Sequence, residues 1–218
     1  MTANPVLTGD RPTDGADQAT ATGPVLWLVR HGETTWNALG LAQGHHNEAA
    51  LTRRGVRQAW MVAGHLCDQP IRTLYASDLR RALQTAAPLA SVLRLPVIPD
   101  ARLRERCLGT LEGTASASIS AADTGLHEGG VAYPDARPTG GESLRDLYRR
   151  VAACAGDIRW SLLCGDVAVI AHGGTLRVLR AYLSSVAVEQ MRWDPVANGC
   201  IERLAIAPAG SAHEPTRR

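Results

Sequence analysis

Three short apolar runs punctuate the chain: Val25 to Val29 (VLWLV), Thr73 to Ala76 (TLYA) and Val167 to Ala171 (VAVIA). Each has strand length and is rich in β-branched or aromatic residues. None alternates with polar positions, which is the pattern of a parallel strand buried on both faces. Val97 to Ile98 and Cys200 to Ile206 are weaker strand candidates. Between the runs the spacing becomes helical. After Thr52, a good N-cap residue, Val56, Ala59, Ala63 and Leu66 recur at offsets 0, 3, 7 and 10, predicting an amphipathic helix. Leu79, Ala82, Leu83, Ala86, Ala90 and Leu93 predict another, kinked or restarted at Pro88. The longest starts at the cap Ser143 and runs to about Leu163, with Leu144, Leu147, Val151, Cys154, Ala155, Ile158 and Leu162 in one stripe. Strands alternating with helices predict an α/β fold, a three-layer αβα sandwich on a mostly parallel sheet.

One domain is expected over residues 24–207. Residues 1–23 and 208–218 lack apolar periodicity and read as flexible tails. Residues 113–140 interrupt the rhythm with Gly, Ser, Asp, Ala and Pro and only fragments of helix, so they are expected to form a lid, a binding insertion or a mobile stretch. The N-terminal residues show neither a basic n-region nor an apolar h-region, and no run nears the ~18 to 20 apolar residues that cross a bilayer. A cytoplasmic protein without a membrane partner is expected. Five scattered cysteines, Cys67, Cys107, Cys154, Cys164 and Cys200, form no C-x-x-C pair and read as reduced, mostly core thiols.

Composition narrows the chemistry. With 45% apolar and 20% charged residues the chain has the makings of an ordinary core. All 23 basic residues are arginine. The absence of lysine excludes Schiff-base chemistry, pyridoxal-phosphate attachment and a Walker A loop. Anion recognition must therefore use arginine, histidine or backbone amides. Aromatics make up only 4%, with no phenylalanine, and the arginines are interspersed with acids, so a nucleic-acid partner is not expected.

The three clear strands run into Arg30-His31-Gly32-Glu33, Ser77-Asp78-Leu79-Arg80-Arg81 and His172-Gly173-Gly174. Ligands of open parallel sheets bind beyond the carboxyl ends of the strands, so these groups can converge although far apart in the chain. Two histidines, at least two arginines and the amides of the helix after His172 make an anion pocket with a titratable nucleophile. A neutral imidazole can attack phosphorus while cations hold the equatorial oxygens. Glu105, after the weak strand at Val97, is a candidate proton donor.

These motifs carry a resemblance. Arg30-His31-Gly32-Glu33-Thr34 with Trp36-Asn37, Gln43-Gly44 and Leu51-Thr52-x-x-Gly55-x-x-Gln58-Ala59 resemble the histidine phosphatase superfamily, which includes cofactor-dependent phosphoglycerate mutases. So do Ser77-x-Leu79-x-Arg81-Ala82-x-Gln84-Thr85-Ala86, Leu103-x-Glu105-x-x-x-Gly109-x-x-Glu112-Gly113, Gly140-Gly141-Glu142-Ser143 and Ala171-His172-Gly173-Gly174. The resemblance, over roughly residues 25–206, implies a phosphoglycerate mutase-like fold and a phosphatase needing no metal or cofactor. It implies His31 as the nucleophile, Arg30, Arg81 and His172 as partners in the phosphate pocket, and Glu105 as the proton donor. Asn37, Gln43 and the Gly173 N–H fall where family members contact phosphate or position the nucleophile, and the register selects Arg81 over Arg80. The implied partner is a small phosphorylated metabolite, with a homodimer left open. The segment His45-His46-Asn47-Glu48-Ala49-Ala50 departs from the family's Asp-x-Pro pattern, and 113–140 matches no family motif.

Plainer readings stand beside these. Glu105 could pair with Arg104 or Arg106. Glu142 is read as a helix-dipole group rather than a substrate ligand, His45-His46 as a polar loop rather than a metal site, and Trp36 and Trp60 as packing residues. A phosphoglycerate-type mutase and a non-catalytic phospholigand scaffold are the competing functions.

Overall fold

A computed structural model describes residues 23–127 and 130–206. The expected tails, but for Gly23, lie outside the described residues. In chain order the elements are β1 (Val25–Arg30), α1 (Thr35–Ala38), α2 (Arg53–Leu66), β2 (Ile71–Ser77), α3 (Arg80–Leu93) and β3 (Val97–Asp100). They continue with α4 (Ala121–Thr124), β4 (Leu126–His127), β5 (Gly130–Val131), α5 (Leu144–Leu162), β6 (Asp166–Ala171), α6 (Gly173–Leu183) and β7 (Ile201–Ala205).

The main sheet has the order β3-β2-β6-β1-β7. Its first four strands are parallel and β7 is antiparallel to β1. Val25 to Val29 of β1 and Val167 to Ala171 of β6 are apolar because both faces are covered. Leu26, Leu28, Val167 and Val169 pack with α5 and α6, while Trp27, Val29, Ala168 and Ile170 pack with α2 and α3. This is the mostly parallel three-layer sandwich that the alternating pattern predicts. The seven stripe residues named for α5 are its buried residues, and Ser143 caps it by accepting from Asp146 N in a reciprocal capping box.

The other helices differ in detail. Val56 is 47% exposed, and Gly55 and Val62 take buried positions on α2. The reason is steric: a Cβ at Gly55 would lie 2.0 Å from Glu33 O, so only glycine lets the helix lie against the turn after β1. Trp60, expected to pack, is on the outward face and 57% exposed. Helix α3 runs unbroken through Pro88. Proline removes one helical hydrogen bond, and burial of Ala86 and Leu89 on either side of it offsets that loss. Of the five unpaired cysteines only Cys154 is buried, and Cys164 and Cys200 are exposed, so the expectation of mostly core thiols does not hold.

The segment 113–140 carries a 3₁₀ turn at Ser116–Ser118, α4 and the β4–β5 hairpin. The buried Arg106 secures it. Its Nε, Nη1 and Nη2 donate to the carbonyls of Glu142, Thr124 and Ala136 at 2.7, 2.5 and 2.9 Å.

Candidate active site

Strand register brings the polar residues together. Arg30 pairs with Ala171 across β1 and β6, so the following residues, His31 and His172, emerge side by side with ring centroids 5.1 Å apart. Ser77, at the end of β2, reaches the same place from the other flank of β6. A cavity of about 630 Å³ opens there, lined by Arg30, His31, Asn37, Gln43, Arg81 and Glu105, with Gly173 at the start of α6. His172 is fully buried behind this wall.

The His31 Nδ1 lies 2.8 Å from Gly32 O. A carbonyl only accepts, so the proton sits on Nδ1 and the Nε2 lone pair is free. Burial first, then Arg81 and Arg30, holds the imidazole well below its ordinary pKa. In His172, Nδ1 accepts from Arg81 Nε at 3.2 Å and Nε2 donates to Ser77 Oγ at 2.8 Å. Burial, Arg81 and His31 likewise push its pKa well down. Both rings are therefore neutral near pH 7.

This has a consequence for stability. Unfolded imidazoles take up protons near pH 6.5. Below that pH the unfolded chain binds more protons than the folded one, so stability is complete above about 6.5 and declines as the pH falls toward the folded-state values. The melting temperature of the ligand-free protein is expected to fall between pH 6.5 and 5, with a shallower slope in His31→Gln. A flat profile in this window would contradict the two neutral buried rings.

The arginines meet the cavity differently. Arg81 is only 1% exposed, whereas Arg80 is exposed. Arg81 donates through Nη1 to His46 O and through Nη2 to Gly44 O, both at 2.8 Å. The segment 45–50, which departs from the family pattern, thus holds Arg81 by the main-chain carbonyl of His46, which side-chain changes leave intact. Burial lowers the Arg81 pKa to about 10, against the pull of Glu105 and Glu112. Two of its five N–H groups remain for a ligand. Arg30 donates through Nη1 to Val196 O. Its Nε is the one buried side-chain nitrogen or oxygen without a hydrogen-bond partner among the described residues, a donor whose desolvation goes uncompensated without a ligand.

Glu105 accepts through Oε2 from Gly174 N and through Oε1 from Arg106 N, both at 2.9 Å. It does not pair with Arg104, which forms a two-point ion pair with Asp78, or with the Arg106 guanidinium. A Cβ at Gly174 would fall 2.3 Å from Glu105 Oε1, so glycine there is what admits the carboxylate to the start of α6. Asn37 Oδ1 accepts from Thr34 N and Asn198 Nδ2, each at 3.1 Å, which leaves the Thr34 hydroxyl hydrogen for Gln43. Gln43 Oε1 lies 3.0 Å from Thr34 Oγ1. Both amides therefore keep their NH₂ groups for the cavity. Glu142 is no helix-dipole group: it precedes the cap and grips Arg150 at 2.9 and 2.7 Å and Cys107 N at 2.9 Å. His45 Nε2 lies 2.8 Å from Glu105 O, and His46 stacks on Trp36 at 3.9 Å.

Residues not singled out from sequence complete the wall. Arg177 lies one turn into α6 from Gly173, its Nε donating to Asp194 O at 2.6 Å and its guanidinium 4.7 Å from the Trp193 ring. Its Nη1 and Arg30 Nε stand 3.2 and 3.7 Å from where a Gly173 Cβ would be, so the two arginines are neighbours. The four-residue step from Gly173 was the available signal, since i and i+4 share a helix face. The amide of Asn198, which reaches Asn37 Oδ1 and His31 O, gave none.

Known proteins resemble this chain in sequence and in fold. A probable phosphoglycerate mutase GpmB from Proteus mirabilis is 39% identical over 129 residues, covering 59% of this chain and 60% of that protein's length. Phosphoglycerate mutase-like protein 4 of Arabidopsis thaliana is 37% identical over 75% of this chain and 74% of its own length. Among solved structures, a mycobacterial glucosyl-3-phosphoglycerate phosphatase complexed with VO3 superposes with a TM-score of 0.72 at 30% identity, covering 84% of this chain and 92% of that one. An alpha-ribazole phosphatase from Shigella flexneri gives 0.70 at 30% identity, over 84% and 91%. The profile of the histidine phosphatase superfamily (branch 1) matches residues 26–214, from the second residue of β1 through β7 with His31 and His172 inside it, and the chain belongs to that superfamily.

Proposed function

We propose that the chain is a phosphatase that hydrolyses small phosphate monoesters through a phosphohistidine on His31, without a metal. The observation that carries this reading is a neutral, buried imidazole with its free Nε2 in a cavity also lined by Arg30, Arg81 and Arg177, the first with an unpartnered N–H. In the first half-reaction, Nε2 attacks phosphorus in line while the bond to the ester oxygen breaks. Arg30, Arg81, Arg177 and the Gly173 amide hold the equatorial oxygens, doing the work a metal would otherwise do. Glu105 gives its proton to the departing alkoxide. In the second, Glu105 takes a proton from water as the water oxygen bonds to phosphorus and the P–N bond breaks, regenerating neutral His31. His172 serves by fixing Arg81 from behind, a positioning role. The reading places the reaction in the cytoplasm, in keeping with five unpaired cysteines, two of them exposed.

The mutase-named relatives raise the alternative that the phosphoryl group returns to substrate. A phosphoglycerate-type mutase needs cations for a carboxylate and a second phosphate. Between Glu105 and Glu142 the basic side chains among the described residues are Arg106, His127 and Arg137. Arg106 donates to three carbonyls, keeping two of its five N–H groups, and Arg137 pairs with Asp146. Hydrolysis is therefore favoured. The expected result is phosphate release from p-nitrophenyl phosphate that survives EDTA and is inhibited by vanadate, with 3- to 2-phosphoglycerate interconversion slower than phosphate release in an enolase-coupled assay. Activity recovered only with added Mg²⁺ or Zn²⁺, or faster interconversion, would overturn the reading.

A further inference from the structure

His45 spans two parts of the site. Its chain neighbours Gly44 and His46 hold Arg81 through their carbonyls. Its own polar groups go elsewhere: the main-chain N donates to Glu112 Oε1, and the ring Nε2 meets Glu105 O, both at 2.8 Å. A carbonyl only accepts, so Nε2 carries the ring proton and donates. Glu142 Oε2, at 3.8 Å from the same nitrogen, is beyond hydrogen-bond reach. The segment that fixes a phosphate-binding arginine is thereby joined to the backbone of the proton donor.

The joint is closely built. Glu112 Oε1 also accepts from Leu108 N at 3.1 Å. A Cβ at Gly44, whose φ is +48°, would fall 2.1 Å from that oxygen, so glycine supplies both the left-handed backbone and the room for the carboxylate. The second partner of Glu105 O is Arg150 Nη2 at 3.1 Å, from α5. A carbonyl oxygen has two lone pairs, and here His45 and Arg150 take both. Glu105 O and Arg106 N belong to one planar peptide unit, so fixing the oxygen also fixes the direction of the N–H. That N–H is the one that donates to Glu105 Oε1 at 2.9 Å. We propose, resting on the phosphatase reading, that His45 is a positioning residue for the proton donor: by holding Glu105 O it sets the peptide plane that aims Arg106 N at the Glu105 carboxyl. His45 is not among the described residues that line the cavity, so it acts through Glu105 and not on the substrate.

The test uses the full chain carrying His45→Ala, His45→Asn or His45→Gln. Glutamine places an N–H donor as many bonds from Cα as Nε2, and asparagine stops one short. The first readout is kcat for p-nitrophenyl phosphate and for whichever of glycerol 2-phosphate, ribose 5-phosphate and 3-phosphoglycerate the native chain turns over best. His45→Ala and His45→Asn should lose roughly 10-fold with the alkyl ester, the scale of one hydrogen bond, and far less with p-nitrophenyl phosphate. His45→Gln should restore most of the alkyl activity. The second readout is vanadate inhibition, expected to stay within roughly 3-fold of native because the main-chain bonds that hold Arg81 survive every variant. The third is amide hydrogen exchange. Protection at Arg106 N and Gly174 N, the donors to the Glu105 carboxyl, should fall in His45→Ala and return in His45→Gln, with the β6 amides unchanged. Equal losses for both kinds of ester, a parallel loss of vanadate affinity, glutamine no better than alanine, or unchanged exchange would each overturn the proposal and leave the phosphatase reading standing. Turnover of none of the esters by the native chain overturns the phosphatase reading instead, and the exchange data then decide the positioning of Glu105 on their own.

Discussion

His31→Ala is expected to lower kcat by more than roughly 10⁴-fold, the scale seen when a covalent nucleophile is removed. The cavity offers no substitute. The other imidazole near phosphorus, His172, is engaged at both ring nitrogens by Arg81 and Ser77 and lies behind the wall. Arginine is too basic to act as a nucleophile, and no lysine exists. Labelling should change in step: brief reaction with ³²P-labelled substrate, quenched in base, should leave acid-labile, base-stable label on the native chain and none on the variant. Phosphate affinity should survive, because Arg30, Arg81 and Arg177 are anchored independently of the imidazole by Val196 O, by Gly44 O and His46 O, and by Asp194 O. A variant retaining more than a few per cent of kcat would remove His31 from the nucleophile's role.

Glu105→Gln is expected to cost about 10²- to 10⁴-fold with alkyl esters, the usual contribution of a general acid. With p-nitrophenyl phosphate, whose leaving group scarcely needs a proton, the loss should be far smaller. The substitution is informative because of how the side chain is held. Its two oxygens accept from Gly174 N and Arg106 N, and glutamine can keep one of these bonds through its carbonyl while presenting NH₂ to the other donor. Some displacement is therefore expected, and the contrast between leaving groups separates proton transfer from position. Equal losses for both esters would make Glu105 a positioning residue.

Much of the molecule was legible in its residues. The long helix shows why. Its period-3.6 stripe packs with Leu26, Leu28, Val167 and Val169 of the sheet, so burial follows directly from local spacing, and all seven stripe positions are buried. Helix α2 shows the limit: its pattern admits two faces, and the choice falls to a contact between Gly55 and Glu33 O that spacing does not encode. Trp60, hydrophobic by type, was turned outward by the same rotation.

The site divides along the same line. The residue types at the strand ends followed from sequence alone: His31, Arg30, Arg81 and His172 directly follow, end or closely succeed uninterrupted apolar strands, and parallel strands present such positions at one edge. The absence of lysine likewise assigned anion binding to arginine, histidine and amides. Only the tertiary structure decided that β6 inserts between β1 and β2, so that His31 meets His172 and Ser77 closes behind it. It alone placed Arg177 beside Arg30 and on Asp194 O, gave Arg106 to the insertion, and turned Glu142 toward Cys107 N. The physical reason is that these arginines and Glu142 engage the backbone of distant segments. A carbonyl or an amide is the same group in every residue, so such a contact leaves no mark on the sequence of its partner and exists only once the chain has closed around it.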